Sequence, residues 1–410
     1  MWFPQFRSFV ISRVFAGVGR KRRMNRFAQS ALSQQRRSGE YRCQMAESVE
    51  YLEDRSLLSA LHAGVSVNDL SGTITIDQAS SSENIAASKD GDIHVAYGGS
   101  QVRVATSLDR GSSFQPSVLL ANTPATYVAV ETQGTSNVYV AWVSGGSAFV
   151  SVSTDSGATF SAAQTVTTDA LFFRGINLAV VDADVYVQGS SGDNSAVFHN
   201  GTDGIGAYTS TAVDPLANRK LEVDPTDGAV YSIGDYSDVF VAKSTDFGAT
   251  FTADSTPSGG PSVFFSTTAF SFGPSGEFAF VGGNHRNGNV ASKIDLNANT
   301  AASINLGNNS GNSQGRSLAA DAVGNVVDSY NEGGVMKYRV SQDLGTSFGS
   351  AVTVGSAISS NVAINPAFQD VLVLYQVGSD LFLSTYAGEL LVDSAPVLAT
   401  PGSITYTEND

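Results

Sequence analysis

At 410 residues the chain is long enough for one large domain or several small ones. Charged residues make up 15% of it and aromatics 10%, and Gly, Ser, Thr, Val and Asn recur throughout, a balance that suits pleated strands and many tight turns. The single cysteine, Cys43, excludes an intrachain disulfide, the four dispersed histidines (His62, His94, His199, His285) give no zinc spacing, and no run of about 18 apolar residues is available to span a membrane.

Charge divides the chain in two. Residues 1–55 carry ten Arg and one Lys against five acids, a net of +6. The remainder holds 12 bases against 33 acids, a net of −21, which repels nucleic-acid phosphates and anionic lipid and suits an exported protein. Residues 1–39 contain no Asp or Glu and many Arg, as an export or transit signal does. The early apolar residues Phe9, Val10 and Ile11 are soon broken by Arg13, and "GRKRRMNR" follows, so Met24 and Met45 are alternative starts. "VEYLEDRSLLSALHAG" at 49–64 resembles the LEDRxLLSA element that closes the N-terminal leader of many large secreted planctomycete proteins. That resemblance implies export to the medium or cell surface, with processing near Ala60. Residues 1–65 are therefore expected to form a basic, mostly disordered leader.

The central region repeats. "SLDRGSSF" (107–114), "STDSGATF" (153–160), "STDFGATF" (244–251) and "SQDLGTSF" (341–348) share the template Ser-x-Asp-x-Gly-x-x-Phe. Their aspartates, Asp109, Asp155, Asp246 and Asp343, are 46, 91 and 97 residues apart, so worn copies belong near Asp203 and Asp295. A period of about 40–50 residues is that of a propeller blade of four strands. Units open near residues 84, 127, 175, 219, 264, 315 and 360, and the last has Tyr386 at the aspartate position. Within the first, Ile93, Val95 and Tyr97 alternate as on a half-buried strand. The expectation is an all-β, seven-bladed β-propeller over 66–394, in which "GTITI" at 72–76 could close the ring against the last blade. In each template Asp accepts amides of its own turn, and Gly111, Gly157, Gly248 or Gly345 supplies φ > 0. The serine (Ser107, Ser153, Ser244, Ser341) ties the turn, and the phenylalanine (Phe114, Phe160, Phe251, Phe348) packs beneath it.

These octapeptides resemble the Asp-box, or BNR repeat, of sialidase-like propellers. The resemblance implies that the boxes are structural and lie on the face opposite the ligand site. Sialidases of this family mark their first carboxylate-binding arginine with a Phe/Tyr-Arg-Ile/Leu-Pro string upstream of the first box, and their propellers have six blades. Here the nearest string is "FFRGIN", with Phe173 and Arg174, and it follows the second box. A noncatalytic interaction or carbohydrate-binding module is therefore expected, with a sialidase-like glycoside hydrolase as the alternative and no assigned catalytic residue. No cofactor is called for, although calcium is a possible ligand.

Candidate ligand-binding residues follow from the propeller register. Arg174, Arg219 and Arg316 precede the first strands of units three, four and six. Asp235 and Tyr236 fall in the second loop of unit four, Arg286 in that of unit five, and Tyr330 and Glu332 in that of unit six. All belong on the face opposite the boxes. They either pair with neighbouring acids and shape loops, or hold a carboxylated or sulfated glycan with guanidinium forks and a tyrosine against a sugar ring. The partner is then an acidic glycan or another surface protein. Residues 395–410, "APVLATPGSITYTEND", begin a linker at Pro396 and Pro401. They resemble the opening of a truncated cadherin-like domain, which implies Glu408 as a calcium ligand.

Overall fold

The computed structural model describes residues 64–67, 74–75, 84–169, 175–191, 194–213, 217–235, 239–253, 255–259, 264–285, 288–304, 316–357 and 360–391. These form seven successive antiparallel sheets closed into a ring, a β-propeller, with no helix among the described residues. The first strands open at Ile85, Tyr127, Asn177, Ala217, Phe264, Ser317 and Ser360, each within two residues of the expected unit start. Blade one runs Ile85–Ala87, Ile93–Gly99, Val102–Ser107 and Val118–Ala121. In blade four the fourth strand shrinks to a bridge between Val241 and Ser255. Residues 1–63 and 392–410, where a leader and a linker are expected, lie outside the described residues.

Stacking buries both faces of a blade. Ile93, Val95 and Tyr97 are sealed as expected, but His94 and Ala96 on the other side of the same strand are equally sealed. Residues 138–143, Val-Tyr-Val-Ala-Trp-Val, are all buried for the same reason, so a second strand reads as an unbroken apolar run. The core is correspondingly a series of seams. One cluster joins Tyr139, Ala141 and Val150 of blade two to Leu178, Val187 and Phe198 of blade three.

The boxes make the expected turn bonds and also set these seams. In blade two, Ser153 Oγ accepts the Gly157 amide at 2.9 Å and donates to Asp155 Oδ1 at 2.7 Å. Asp155 accepts the Thr159 amide (2.8 Å) and hydroxyl (2.6 Å). Those bonds from Thr159, with that from Ser153, hold Asp155 down to about 2. The other three serines tie their turns identically. Ser107 accepts the Gly111 amide at 2.8 Å, Ser244 the Gly248 amide at 2.9 Å and Ser341 the Gly345 amide at 2.9 Å. Each of them also donates to its own aspartate, Ser107 to Asp109 and Ser244 to Asp246 at 2.8 Å, and Ser341 to Asp343 at 2.7 Å. Asp109, Asp246 and Asp343 in turn accept the amide and hydroxyl four residues on. Gly157 sits at φ +79° against blade one, where a Cβ would lie 2.6 Å from Thr106 Oγ1 and 3.1 Å from His94 Nδ1. Gly345 abuts Phe280 and Ile304 of blade five in the same manner. Phe114, Phe160, Phe251 and Phe348 pack into the cluster shared with the preceding blade. Each box therefore fastens its blade to the one before it.

The worn copies differ from the expected alignment. In blade three Asn200, at the end of the third strand, takes the place of the box serine, and its Oδ1 accepts the Gly204 amide at 2.9 Å. Asp203 falls one position after the box aspartate and adopts φ +53°. Asp295 and Tyr386 each end a third strand and so occupy the serine position instead. A template matched on aspartate alone slips because the strand end fixes the register.

Ring closure also departs from expectation. Val65 and Ser66, not 72–76, form the fourth strand of blade seven, opposite Leu383 and Phe382. The Val67 amide adds a bond to Leu381 O at 2.9 Å, and its side chain is buried among Ile93, Tyr97 and Leu383. Val65 thus belongs to the propeller, one residue before its expected start at 66. Ile74–Thr75 pairs with Gly99 and Gly98 in blade one. The first strand there, Ile85–Ala87, covers only Ile93–Val95, so the far end of the second strand is free to take it. Closure is reinforced by Arg110 of the first box, which grips Asp370 of blade seven with Nη2 at 2.7 Å and Nε at 3.1 Å and lies over the Phe368 ring.

Ser153→Ala is expected to lower stability by about 1–2 kcal/mol, because it strands the buried Gly157 amide; urea unfolding measures it. His94 supplies a pH test. Burial, partly opposed by Asp90, pushes its imidazole down to about 4. The unfolded chain therefore takes up the proton first, near pH 6.5, so stability is full above that pH, falls as pH drops toward 4, and is flat below from this group. The loss amounts to about 3 kcal/mol. His94→Gln is expected to flatten the pH dependence of the urea midpoint across that interval.

Candidate functional site

The narrow centre of the ring is enclosed by the first strands. A space of about 180 Å³ lies among Ala87, Ala269, Ala319 and Ala363, with Glu131 and Glu222 supplying its charge. Small side chains are required there because seven strands converge, and they leave little room for a ligand inside the channel.

On the face opposite the boxes, the structure describes three of the eight candidate side chains. Arg316 stands just before the first strand of blade six, Asp328 is in the second strand and Arg339 in the third. Register aligns Leu318 with Asp328 and Asp328 with Arg339, so all three project to one side of the sheet. Arg316 offers Nε (2.7 Å) and Nη2 (2.8 Å) to the two oxygens of Asp328, and Arg339 Nε donates to the same carboxylate at 3.0 Å. Arg316 is 1% exposed in its side chain and Asp328 0%. Its stem crosses Gly282 of blade five, so this triad lies in the seam between blades five and six. Arg316 Nη1 has no hydrogen-bond partner among the described residues. The carboxylate-gripping fork of Arg316 is thus filled from within the protein.

Tyr330 is buried, with the Arg339 guanidinium 5.1 Å from its ring centre, and Phe348 of the fourth box lies near that guanidinium too. Glu332, at the loop, accepts from Lys337 Nζ at 2.5 Å and raises the lysine's pKa. Arg316 and Tyr330 therefore join one network through Asp328 and Arg339, while Glu332 belongs to a separate surface pair. Arg219 and Asp235 are placed in the first and second strands of blade four as backbone only. Arg174, Tyr236 and Arg286 lie outside the described residues. The importance of Asp328 and Arg339 was not visible in the sequence, though charged residues inside apolar strands, "VVDSY" and "KYRV", are a usable signal.

Among the described residues no helix is long and apolar enough to cross a membrane. No protein-family model matches the chain, and no curated protein matches it in sequence. Solved structures match it in fold. A protein of unknown function from Dyadobacter fermentans is 13% identical, with a TM-score of 0.44 over 66% of this chain and 93% of its own. YCF48 bound to D1 peptide is 15% identical, with a TM-score of 0.49 over 79% and 99%. The Hadza microbial sialidase Hz136 is 14% identical, with a TM-score of 0.42 over 75% and 66%. At these identities the likeness extends to the fold alone.

Asp328→Ala is expected to destabilise the ring by about 3–5 kcal/mol, since it leaves two guanidinium groups buried without their anion. Thermal and urea unfolding check this, and a change below about 1 kcal/mol would contradict the triad's structural role.

Proposed function

We propose that the ring is a noncatalytic recognition module of an exported or surface protein, which takes an acidic glycan on the face opposite the boxes. One contrast supports this reading above others. On the box face, the turns of Ser107, Ser153, Ser244 and Ser341 repeat the same bonds almost atom for atom. The connections that run from one blade to the next are unequal in length, spanning residues 122–126, 168–176, 214–216, 305–316 and 357–359. Uniform turns combined with connections of divergent length are how a rigid fold presents a binding surface. Arg174 falls in the second of these connections, Arg219 in the first strand of blade four and Arg286 between the second and third strands of blade five, and guanidinium groups bind carboxylate or sulfate as planar forks. The leader-like element at 49–64 and the net acidic ring fit an exported protein.

The test combines binding with turnover. Binding to an immobilised acidic polysaccharide is expected to weaken steeply with salt, and Arg174→Ala or Arg219→Ala to reduce it several-fold at unchanged Tm. A fluorogenic sialoside is expected to remain uncleaved. Turnover that disappears on substituting one of these arginines would replace the module with a sialidase-like glycoside hydrolase.

A further inference from the structure

The seam between blades four and five lacks a complete box. The turn ending blade five's third strand has Asp295 at the serine position, and the following residues "LNANT" contain no glycine to wedge against blade four. An acidic cluster stands at the same seam. Asp224 and Asp227 come from the turn "DPTDG" between the first two strands of blade four, and Glu277 opens the second strand of blade five. One carboxylate oxygen from each lies within 4.8 Å of the others.

One oxygen of each carboxylate is held by a donor of the protein. Asp224 Oδ1 accepts the Thr226 amide and hydroxyl, both at 2.7 Å. Asp227 Oδ1 accepts the Ala229 amide at 2.8 Å. Glu277 Oε2 accepts the Tyr231 hydroxyl. Independently of this grouping, Asp224 Oδ2 is buried, on a residue only 1% exposed, and has no hydrogen-bond partner among the described residues. A buried carboxylate oxygen without a donor carries a full desolvation penalty, so it calls for a ligand. Among the described residues the cation at the cluster is Lys243, whose Nζ is 3.8 Å from Glu277 Oε2 and 4.7 Å above the Tyr231 ring. Three carboxylates against one ammonium leave two negative charges.

The geometry points to a divalent-cation site, formed by Asp224, Asp227 and Glu277, that clamps blade four to blade five. Oxygen donors alone favour a hard cation, and calcium, at about 2.3–2.6 Å from each ligand, tolerates oxygens spread over such a distance, with water completing its shell on the exposed Asp227 side. A double positive charge cancels the residual charge of the cluster. Tyr231 sits in the second layer: burial and then its bond to Glu277 raise its pKa, so it remains a donor that orients the glutamate.

The experiment uses the full chain, stripped with chelator and titrated with calcium, magnesium or terbium. Calcium is expected to raise Tm more than magnesium does, and terbium to emit when tyrosine is excited, because Tyr231 is an adjacent antenna. Asp227→Asn keeps the Oδ1 acceptor of the turn, and Glu277→Gln keeps an acceptor for Tyr231; each is expected to abolish the calcium shift and the sensitised emission while the metal-free protein stays folded. Lys243→Met is expected to tighten calcium binding several-fold by removing the competing ammonium. A Tm indifferent to calcium overturns the site, and so does a calcium shift or terbium signal that persists undiminished in both Asp227→Asn and Glu277→Gln, since the ion would then reside elsewhere, as at the tail.

Discussion

The ring depends on one close approach, that of a box glycine to the blade before it. At Gly157 the backbone passes so near Thr106 and His94 that a single methyl group would collide. The Ser153 hydroxyl and Asp155 carboxylate hold the turn in the left-handed conformation that makes this approach possible. Removing that geometry would separate two apolar faces that are dry on both sides, since Trp142 and Tyr139, on opposite faces of one strand, are both fully buried. The turn is local in sequence, but the energy it organises is the burial between blades.

This explains why the architecture is legible in the sequence and some of its details are not. The spacing of Asp109, Asp155, Asp246 and Asp343 reports a repeating physical need, and the unit starts follow from it to within two residues. Period-two patterning misses the burial of His94 and Ala96 because it assumes a wet face, whereas a blade inside a ring has none. Ring closure is misassigned because Ile74 and Val65 are equally good strand formers. What distinguishes them is the distance from the outer edge of blade seven, a tertiary fact that no local pattern encodes.

The candidate site is legible as positions but not as roles. Arg316 is expected near the start of a first strand and is found there, yet its partner Asp328 lies on another strand and emerges only from the pairing register. A buried triad of two arginines and one aspartate is weak as a source of net stability, but removing one member strands the charge of the others. The acidic groups Asp224, Asp227 and Glu277 come together by the same mechanism, from turns 50 residues apart. Sequence displays the turn "DPTDG" but has no means of showing that Glu277 faces it.

Val65 and Tyr386 bring the two ends of the ring into a single blade, the first as its outermost strand and the second at the end of its neighbour. A tensile force applied through the flanking chain would therefore enter and leave through blade seven and would not travel around the circumference. Under such a load the ring behaves as a bead hung from one side, and the element that bears it is the short ladder joining Val65–Ser66 to Leu383 and Phe382. Six blades would stay mechanically idle until that ladder peels. Arg110, which grips Asp370 from the first blade, then becomes the second latch to yield.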